Sequence, residues 1–506
     1  IFGLGIDYSI FITNGLINEN KFSDKSILIY KSSILISFIT TFLGIGVLIF
    51  ANHPALFSIS IVSIIGISLS IIIAFSIQPK IFNILIGNKL RPPSSIIQIL
   101  NSIFSFTCFI MGSLIFSIYT IMISMLPLNK IKKQYIINGL LSKLMRVIFY
   151  TYPGIKINII NTHKETFNKS SIIIANHSSF LDILAIGMLN KKSIFITNDW
   201  VYNSPLFGKI LQLAGSLPIS KDLNTNIDEL KEKIEFGYSI IIFPEGTRSK
   251  SNKINRFRKG AFYLAEKLNV DIIPILIHGN HEILSKGKFM INKGEMTLKI
   301  LNRINNNDLK YGKNYIEKQK KISTYFKKEY GVLRKQIEKE NYFTDIILKE
   351  YIFKDYKLYL KIKKDLNKFY KIYYKILDSI KSDEKIIHFS DDYGQLDFLL
   401  CLDSIDRNIS TFITDKKILK MLNNSFIKNN TTKIHFYNNI NAIDKNDFDS
   451  IIINSSDVNI NFNKVINKKN LRVYLLKNSR YVHSKQFVNL GYKKLFSDSN
   501  LLILNK

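Results

Sequence analysis

The stretches "SSILISFITTFLGIGVLIFA" (32–51) and "ALFSISIVSIIGISLSIIIAFSI" (55–77) contain no charged residue. Each is long enough to cross a bilayer as a helix, and an uncharged run of that length has few other stable surroundings. His53 and Pro54 separate the two runs, which predicts a tight helical hairpin. "IFGLGIDYSIFITNGLI" (1–17) reads as the end of a further span, with Asp7 beside Tyr8. An ionisable group among apolar helical neighbours is costly, so Asp7 is expected to face a bundle interior or a proton path. An Asp at a helix end near the headgroups is the other reading. The segment 99–126 is apolar too, yet Lys80, Lys89 and Arg91 precede it and Lys130, Lys132 and Lys133 follow it. Positive flanks favour the cytoplasmic side, and one crossing cannot place both there. A kinked re-entrant or interfacial hairpin near Gly112 would reconcile them.

The chain of 506 residues has room for roughly three or four domains. It opens inside an apolar segment without Met, and reads as the distal part of a longer polypeptide. Its net charge of +31 invites a nucleic-acid or anionic-membrane partner. Lys, Asn and Ile are abundant everywhere, loops included, so compositional bias accounts for the charge better than a nucleic-acid surface does. No nucleic-acid partner is expected, and the basic balance suits the face of an anionic membrane. Cys108 and Cys401 lie far apart and show neither a disulfide framework nor a zinc-like spacing.

From "GIKINII" onward the pattern changes. Short β-branched runs, among them "SIIIA", "SIFIT", "SIIIF" and "DIIPILI", alternate with helical stretches. That is an α/β domain, whose chemistry belongs where strands end and helices begin. His177 follows one such strand in "NHSSFLD" (176–182), and "SSFLDILAIGML" after it reads as a helix that Ser178 or Ser179 can cap. Asp182, about one turn inside, can accept a hydrogen bond from one ring nitrogen and leave the other free to take a proton. This is a catalytic triad without its nucleophile, a place that a substrate hydroxyl can fill. His177 would act as general base, Asp182 would orient it, and the helix entrance would help an oxyanion. A structural His with a capping carboxylate is the alternative. "IIFPEGTRSK" repeats the pattern after a second strand, with Gly246 permitting a tight backbone approach and Arg248 offering a planar fork for phosphate. Arg258 and Lys259 stand ahead of the next helix, and Lys221 follows "AGSLPIS". Three cationic groups after separate strands suggest one pocket for an anionic headgroup.

These blocks resemble the lysophosphatidic-acid acyltransferase (PlsC-like) family. "NHSSFLD", "GSLPISK", "FPEGTRS" and "IIPILIHG" stand in the family's order, and the resemblance extends over roughly residues 97 to 310 with an N-terminal membrane helix. It implies a His177–Asp182 catalytic dyad. It also implies an acceptor site shaped by Asn176, Lys221, Glu245, Gly246, Thr247, Arg248 and Lys259, with Lys221 where the family usually has Arg. Acyl-CoA or acyl-carrier-protein thioesters would be the donors, a lysophospholipid the acceptor, with no metal and no covalent intermediate.

Two further resemblances flank this core. "GLGIDYSIF", two spans and "QPKIF", within residues 1 to 90, resemble the last membrane helices of MMPL/RND-type exporters, which implies that Asp7 and Tyr8 relay protons and that an upstream exporter part or partner exists. After a helical linker (311–349), residues 350 to 506 alternate strands and helices and close on an antiparallel hairpin, "YKKLFSDSNLLIL". That order resembles class I S-adenosylmethionine-dependent methyltransferases, a Rossmann-like fold, and implies cofactor contacts at Gly394 and Asp415. The first loop, "FSDDYGQLD", departs from the glycine-rich turn and adds Asp391 and Asp392, which favours a degenerate domain. The "KEYIFKDYKLYLKIKKDLNKFYKIYYKIL" stretch reads as an amphipathic helix that lies on the membrane, packs on the next domain or stays solvated. The expected whole is a multi-pass protein of the cell inner membrane, with an α-helical membrane segment and two α/β domains facing the cytoplasm. A lipid exporter subunit carrying accessory acyltransferase and methyltransferase-like domains is the alternative.

Overall fold

The computed structural model describes residues 2–22, 26–86, 91–152, 154–205, 207–218, 227–249, 251–339, 341–443, 448–455, 471–476 and 479–505. It divides into two compact units, one made of Ile1–Ser94 with Glu338–Lys506, the other Ser95–Ile337.

The first segment is a helical bundle: α1 (Phe2–Phe22), α2 (Ser26–Gly46), α3 (Pro54–Ile72) and α4 (Gln78–Leu85). Pro54 opens α3, as the expected hairpin requires. Between α3 and α4 the helix widens into a π turn, Ile73–Ile77, just before Pro79, which has no N–H to return to the preceding turn. Gln78 ties this region to α1: its Nε2 donates to the Ser9 carbonyl at 2.7 Å and to Thr13 Oγ1 at 2.6 Å. Such polar contacts fix helix register where apolar packing is non-directional. Among the described residues three stretches are long and apolar enough to cross a membrane: Ile27–Phe50, Pro54–Leu85 and Ile96–Met125. Tyr8 is buried in the bundle, whereas Asp7 is exposed. Successive helical residues point about 100° apart.

In the second unit α5 (Ile96–Met125) is one uninterrupted helix, so the expected break near Gly112 is corrected; the chain turns instead around Pro127 into α6 (Lys130–Thr151). One side of α5 is held by the domain. Gln98 Nε2 donates to Asn292 Oδ1 at 2.8 Å, Ser102 Oγ accepts from the Ile291 N–H at 3.0 Å, and the Phe109 ring meets Phe180 and Phe207. The other side, with Ile97, Leu100, Phe104, Ile118 and Met122, is exposed.

Then come β1 (Ile155–Ile160), β2 (Ser171–Ala175), α7 (Leu181–Gly187), β3 (Ser193–Thr197), α8 (Asp199–Tyr202), α9 (Gly208–Leu213) and β4 (Leu217–Pro218). They are followed by α10 (Ile227–Glu235), β5 (Ser239–Ile242), α11 (Gly260–Lys267), β6 (Asp271–His278), α12 (Asn280–Ile283), β7 (Gly294–Ile300) and α13 (Tyr315–Ile337). The seven strands run β1-β7-β6-β2-β5-β3-β4, parallel except for the β6–β7 pair. Alternate side chains feed opposite cores: Ile172, Ile174, Ile240 and Ile272 on one face, Ile173, Ile241, Ile273 and Ile275 on the other. The reading of 311–349 as a linker is corrected, because Ile322, Phe326, Tyr330 and Leu333 of α13 are buried in the first of these cores.

The C-terminal part begins with α14 (Thr344–Leu348) and α15 (Tyr356–Ser379), both packed into its core. Ile362, Leu366, Tyr373 and Ile376 of α15 are buried, so of the three roles open to this helix the structure shows packing on the domain. There follow β8 (Lys385–Ser390), α16 (Gln395–Asp403), β9 (Asn408–Phe412), α17 (Lys416–Asn423), α18 (Phe426–Asn429), β10 (Ile434–Tyr437), β11 (Ser450–Asn454) and β12 (Arg472–Leu476). The chain ends with α19 (Ser479–Asn489), β13 (Lys493–Ser497) and β14 (Leu501–Asn505). The sheet order is β10-β9-β8-β11-β12-β14-β13, parallel up to β12 and closed by the expected antiparallel hairpin. The strand order reverses between β8 and β11, which makes a crevice at their carboxyl ends.

Candidate active site

The β6, β2 and β5 strands are neighbours, so the loops at their carboxyl ends meet. The His177 ring, half-buried just past β2, stacks on Phe243 with centroids 4.2 Å apart. Its Nδ1 lies 2.8 Å from Asp182 Oδ2, and Nε2 has no hydrogen-bond partner among the described residues. Asp182 is fully buried. Its Oδ2 also accepts the Ser178 N–H at 2.7 Å and the Ser179 N–H at 2.9 Å, while Oδ1 accepts from Asn280 Nδ2. Four donors thus hold one carboxylate, which fixes the orientation of the imidazole it meets. The amides of Ser178 and Ser179 are already used in this turn, so the expected help to an oxyanion from that helix entrance is corrected at those two groups.

The β5 loop grips the backbone of His177 on both sides. Glu245 Oε1 accepts the His177 N–H at 2.8 Å, and the His177 carbonyl accepts the Ser249 N–H at 2.7 Å. Glu245 Oε2 accepts the Asn255 N–H at 2.8 Å. Burial pushes the Glu245 carboxyl up from its ordinary value, against the pull of these two N–H groups and of His177. Glu245 therefore positions the His177 backbone and the loop.

Gly246 adopts φ +74°, and a Cβ there would lie 2.7 Å from Arg258 Nε. The Arg258 guanidinium thus packs directly on this glycine, and the Arg258 N–H donates to the Pro244 carbonyl at 2.7 Å. Thr247 is exposed and Arg248 half-exposed on the same loop; Lys259 is exposed at the start of α11. Lys221 lies outside the described residues. Asn176, expected among the substrate contacts, spends its amide on β6: Nδ2 donates to the Ile277 carbonyl and Oδ1 accepts the Ile277 N–H, both at 2.8 Å. Its side chain ties the strand ends together, a correction to that reading.

A cleft of about 170 Å³ opens on His177, with Glu245, Ser249, Lys253 and Tyr330 among its walls. Sequence reasoning missed two contributors, Asn280 and Tyr330, and one contact, that of Arg258 with Gly246. Asn280 immediately follows the "IIPILIHG" block, so its place beside the dyad was open to inference. Tyr330 comes from α13, where no motif marks it. Arg258 was noticed only as a charge.

These loops have counterparts in known proteins. Residues 156–278 match the Acyltransferase family. The chain is 35% identical over 141 residues to a chloroplastic 1-acyl-sn-glycerol-3-phosphate acyltransferase of Arabidopsis thaliana, covering 27% of this chain and 40% of that protein. It is 25% identical over 190 residues to the 1-acyl-sn-glycerol-3-phosphate acyltransferase of Saccharomyces cerevisiae, covering 35% and 61%. The chain thus spans less than two thirds of the length of these relatives. The crystal structure of the 1-acyl-sn-glycerophosphate acyltransferase PlsC from Thermotoga maritima is matched at 22% identity and a TM-score of 0.41, over 47% of this chain and 98% of that one.

The C-terminal crevice differs from the acyltransferase cleft. Asp392 Oδ1 accepts from Ser390 Oγ at 2.7 Å and from the Gly394 N–H at 2.9 Å, and Oδ2 accepts from Asn454 Nδ2 at 2.9 Å. A buried carboxylate therefore bridges the ends of β8 and β11, where a nucleotide cofactor would have to approach. Asp415 Oδ1 caps α17. The backbone at Gly394 is left-handed and crowded by Leu422. Ser390, Asp392, Gly394 and Asn454 thus spend these polar groups on one another at the ends of β8 and β11. A second His–Asp pair, His388 and Asp397, is fully buried at 2.7 Å and has no access to solvent.

Proposed function

We propose that the 95–337 unit transfers an acyl chain to the free hydroxyl of a membrane-held lysophospholipid of the 1-acyl-glycerol-3-phosphate type. The donor is a coenzyme A or acyl-carrier-protein thioester. His177 Nε2 takes the hydroxyl proton as the oxygen attacks the thioester carbonyl; the C–O bond forms, the C–S bond breaks, and the thiolate leaves with the proton that His177 returns. Asp182 stabilises the imidazolium in between. Arg248 and Arg258 favour a phosphate headgroup at the Gly246 loop. The acceptor reaches the site from the bilayer beside the exposed face of α5.

The observation that carries this reading is the held imidazole: the Nδ1–Asp182 bond of 2.8 Å, with both main-chain groups of His177 fastened by the Glu245–Ser249 loop. The His177→Ala protein is expected to lose turnover by at least about 10²–10⁴-fold while melting like wild type. Retained turnover on every lysophospholipid offered would end the assignment. We place the protein in the inner membrane with both sheets cytoplasmic. Lys21, Lys31, Lys80 and Arg91 lie towards one end of the α1–α4 bundle, and the 51–53 turn has no Lys or Arg. We assign no transport step and no methyl transfer to the chain as described.

A further inference from the structure

A second, narrow pocket lies within the unit that joins the helical bundle to the C-terminal domain. Lys21, Arg91, Lys349 and Lys354 line it against a single carboxylate, Glu350. That carboxylate is already engaged. It accepts the Ile427 N–H at 2.7 Å and the Phe426 N–H at 3.3 Å, and pairs with Lys354 at 3.5 Å. Lys21 pairs with Asp355 at 3.6 Å. Two donors are left over. Arg91 donates through Nη2 to the Asn83 and Ile84 carbonyls at 2.8 and 3.1 Å, while its Nε is buried without a hydrogen-bond partner; Lys349 Nζ has only the charge of Asp345 acting on it among the described residues. Burial lowers the pKa of Lys349 and Lys354, against the pull of Asp345 on the first and of Glu350 on the second.

We propose that this cavity binds a phosphate-bearing anion, presented as the headgroup of a membrane lipid. A phosphate offers several acceptors to the unused Arg91 and Lys349 donors and neutralises the excess cations. Its position points to lipid as the source. The membrane-length stretch Pro54–Leu85 ends where the wall begins, at Ile86, and Ile17 of α1 and Phe353 add apolar surface beside the cations. Basic pockets at the cytoplasmic end of membrane helices recognise anionic headgroups in this way. The site is separate in sequence and in unit from the His177 cleft and stands whether or not the acyl-transfer reading does.

The test uses the full chain in lipid nanodiscs with a photoactivatable diacyl phosphatidic acid, and mass spectrometry of the labelled peptides. Peptides carrying Lys349 and Lys354 are expected to be labelled. The Arg91→Gln/Lys349→Gln double variant should lower that labelling about tenfold, and Lys349→Gln alone should lower it less, in line with the loss of charge-assisted hydrogen bonds. His177→Ala should leave it unchanged. Unlabelled phosphatidic acid should compete and phosphatidylcholine should not. Competition by inorganic phosphate as strong as by the lipid would overturn the lipid source. Labelling that is equal in wild type and in both folded variants would overturn the site.

Discussion

Glu245 shows how much a single side chain can do without touching the reacting atoms. Its two oxygens each hold a backbone N–H, one belonging to His177. In Glu245→Gln one of those N–H groups would face an amide NH₂, so kcat is expected to fall about tenfold or more with little change in the acceptor KM; steady-state kinetics separates the two. The pH dependence follows from the burial-raised pKa of this carboxyl. A group that holds its proton more tightly when folded contributes most below its unfolded pKa, and that contribution is lost as pH rises through the folded value. The stability gap between wild type and Glu245→Gln should therefore narrow as pH rises from the ordinary glutamate range through the raised folded value, as followed by thermal melts. At Gly246 the limit is steric. Gly246→Ala should cost about 1–2 kcal/mol for the left-handed backbone alone. It should also push Arg258 aside and raise the acceptor KM.

At the scale of elements, the strands of both sheets were legible because buried β-branched runs bounded by polar loops have few other readings. "SIIIA" and "SIFIT" coincide with β2 and β3. The His177–Asp182 pair was legible for a local reason: residues five apart across a strand-to-helix turn must lie close. Asn280, Tyr330 and the Arg258–Gly246 contact were not, because they depend on which strands become neighbours, and spacing along the chain carries no register between β2, β5 and β6. The α13 helix is the sharpest case. Its Lys-rich surface reads as a solvated linker, yet one face fills a core and one side chain walls the cleft. Ending the chain at residue 310 should thus expose the cluster that receives Phe326 and Leu333. Such a protein is expected to aggregate or to lose activity, checked by size-exclusion chromatography and lipid turnover beside the same protein ended at 339.

At the scale of the whole molecule, the two α/β sheets keep the same principle, a crevice at the carboxyl ends of parallel strands, and differ in what fills it. One leaves an imidazole at an open cleft. The other closes on Asp392. Titration of the full chain with S-adenosylmethionine in a calorimeter is accordingly expected to give no saturable heat at micromolar concentrations, and a clear micromolar isotherm would contradict the closed crevice. The closure also limits how such a domain can change. Ser390, Asp392 and Asn454 satisfy one another away from water, so losing any one strands the rest, and their substitutions should be strongly non-additive. Stepwise mutation then has no gradual path to an open crevice at this sheet, and single changes are tolerated best on the domain's outer surface.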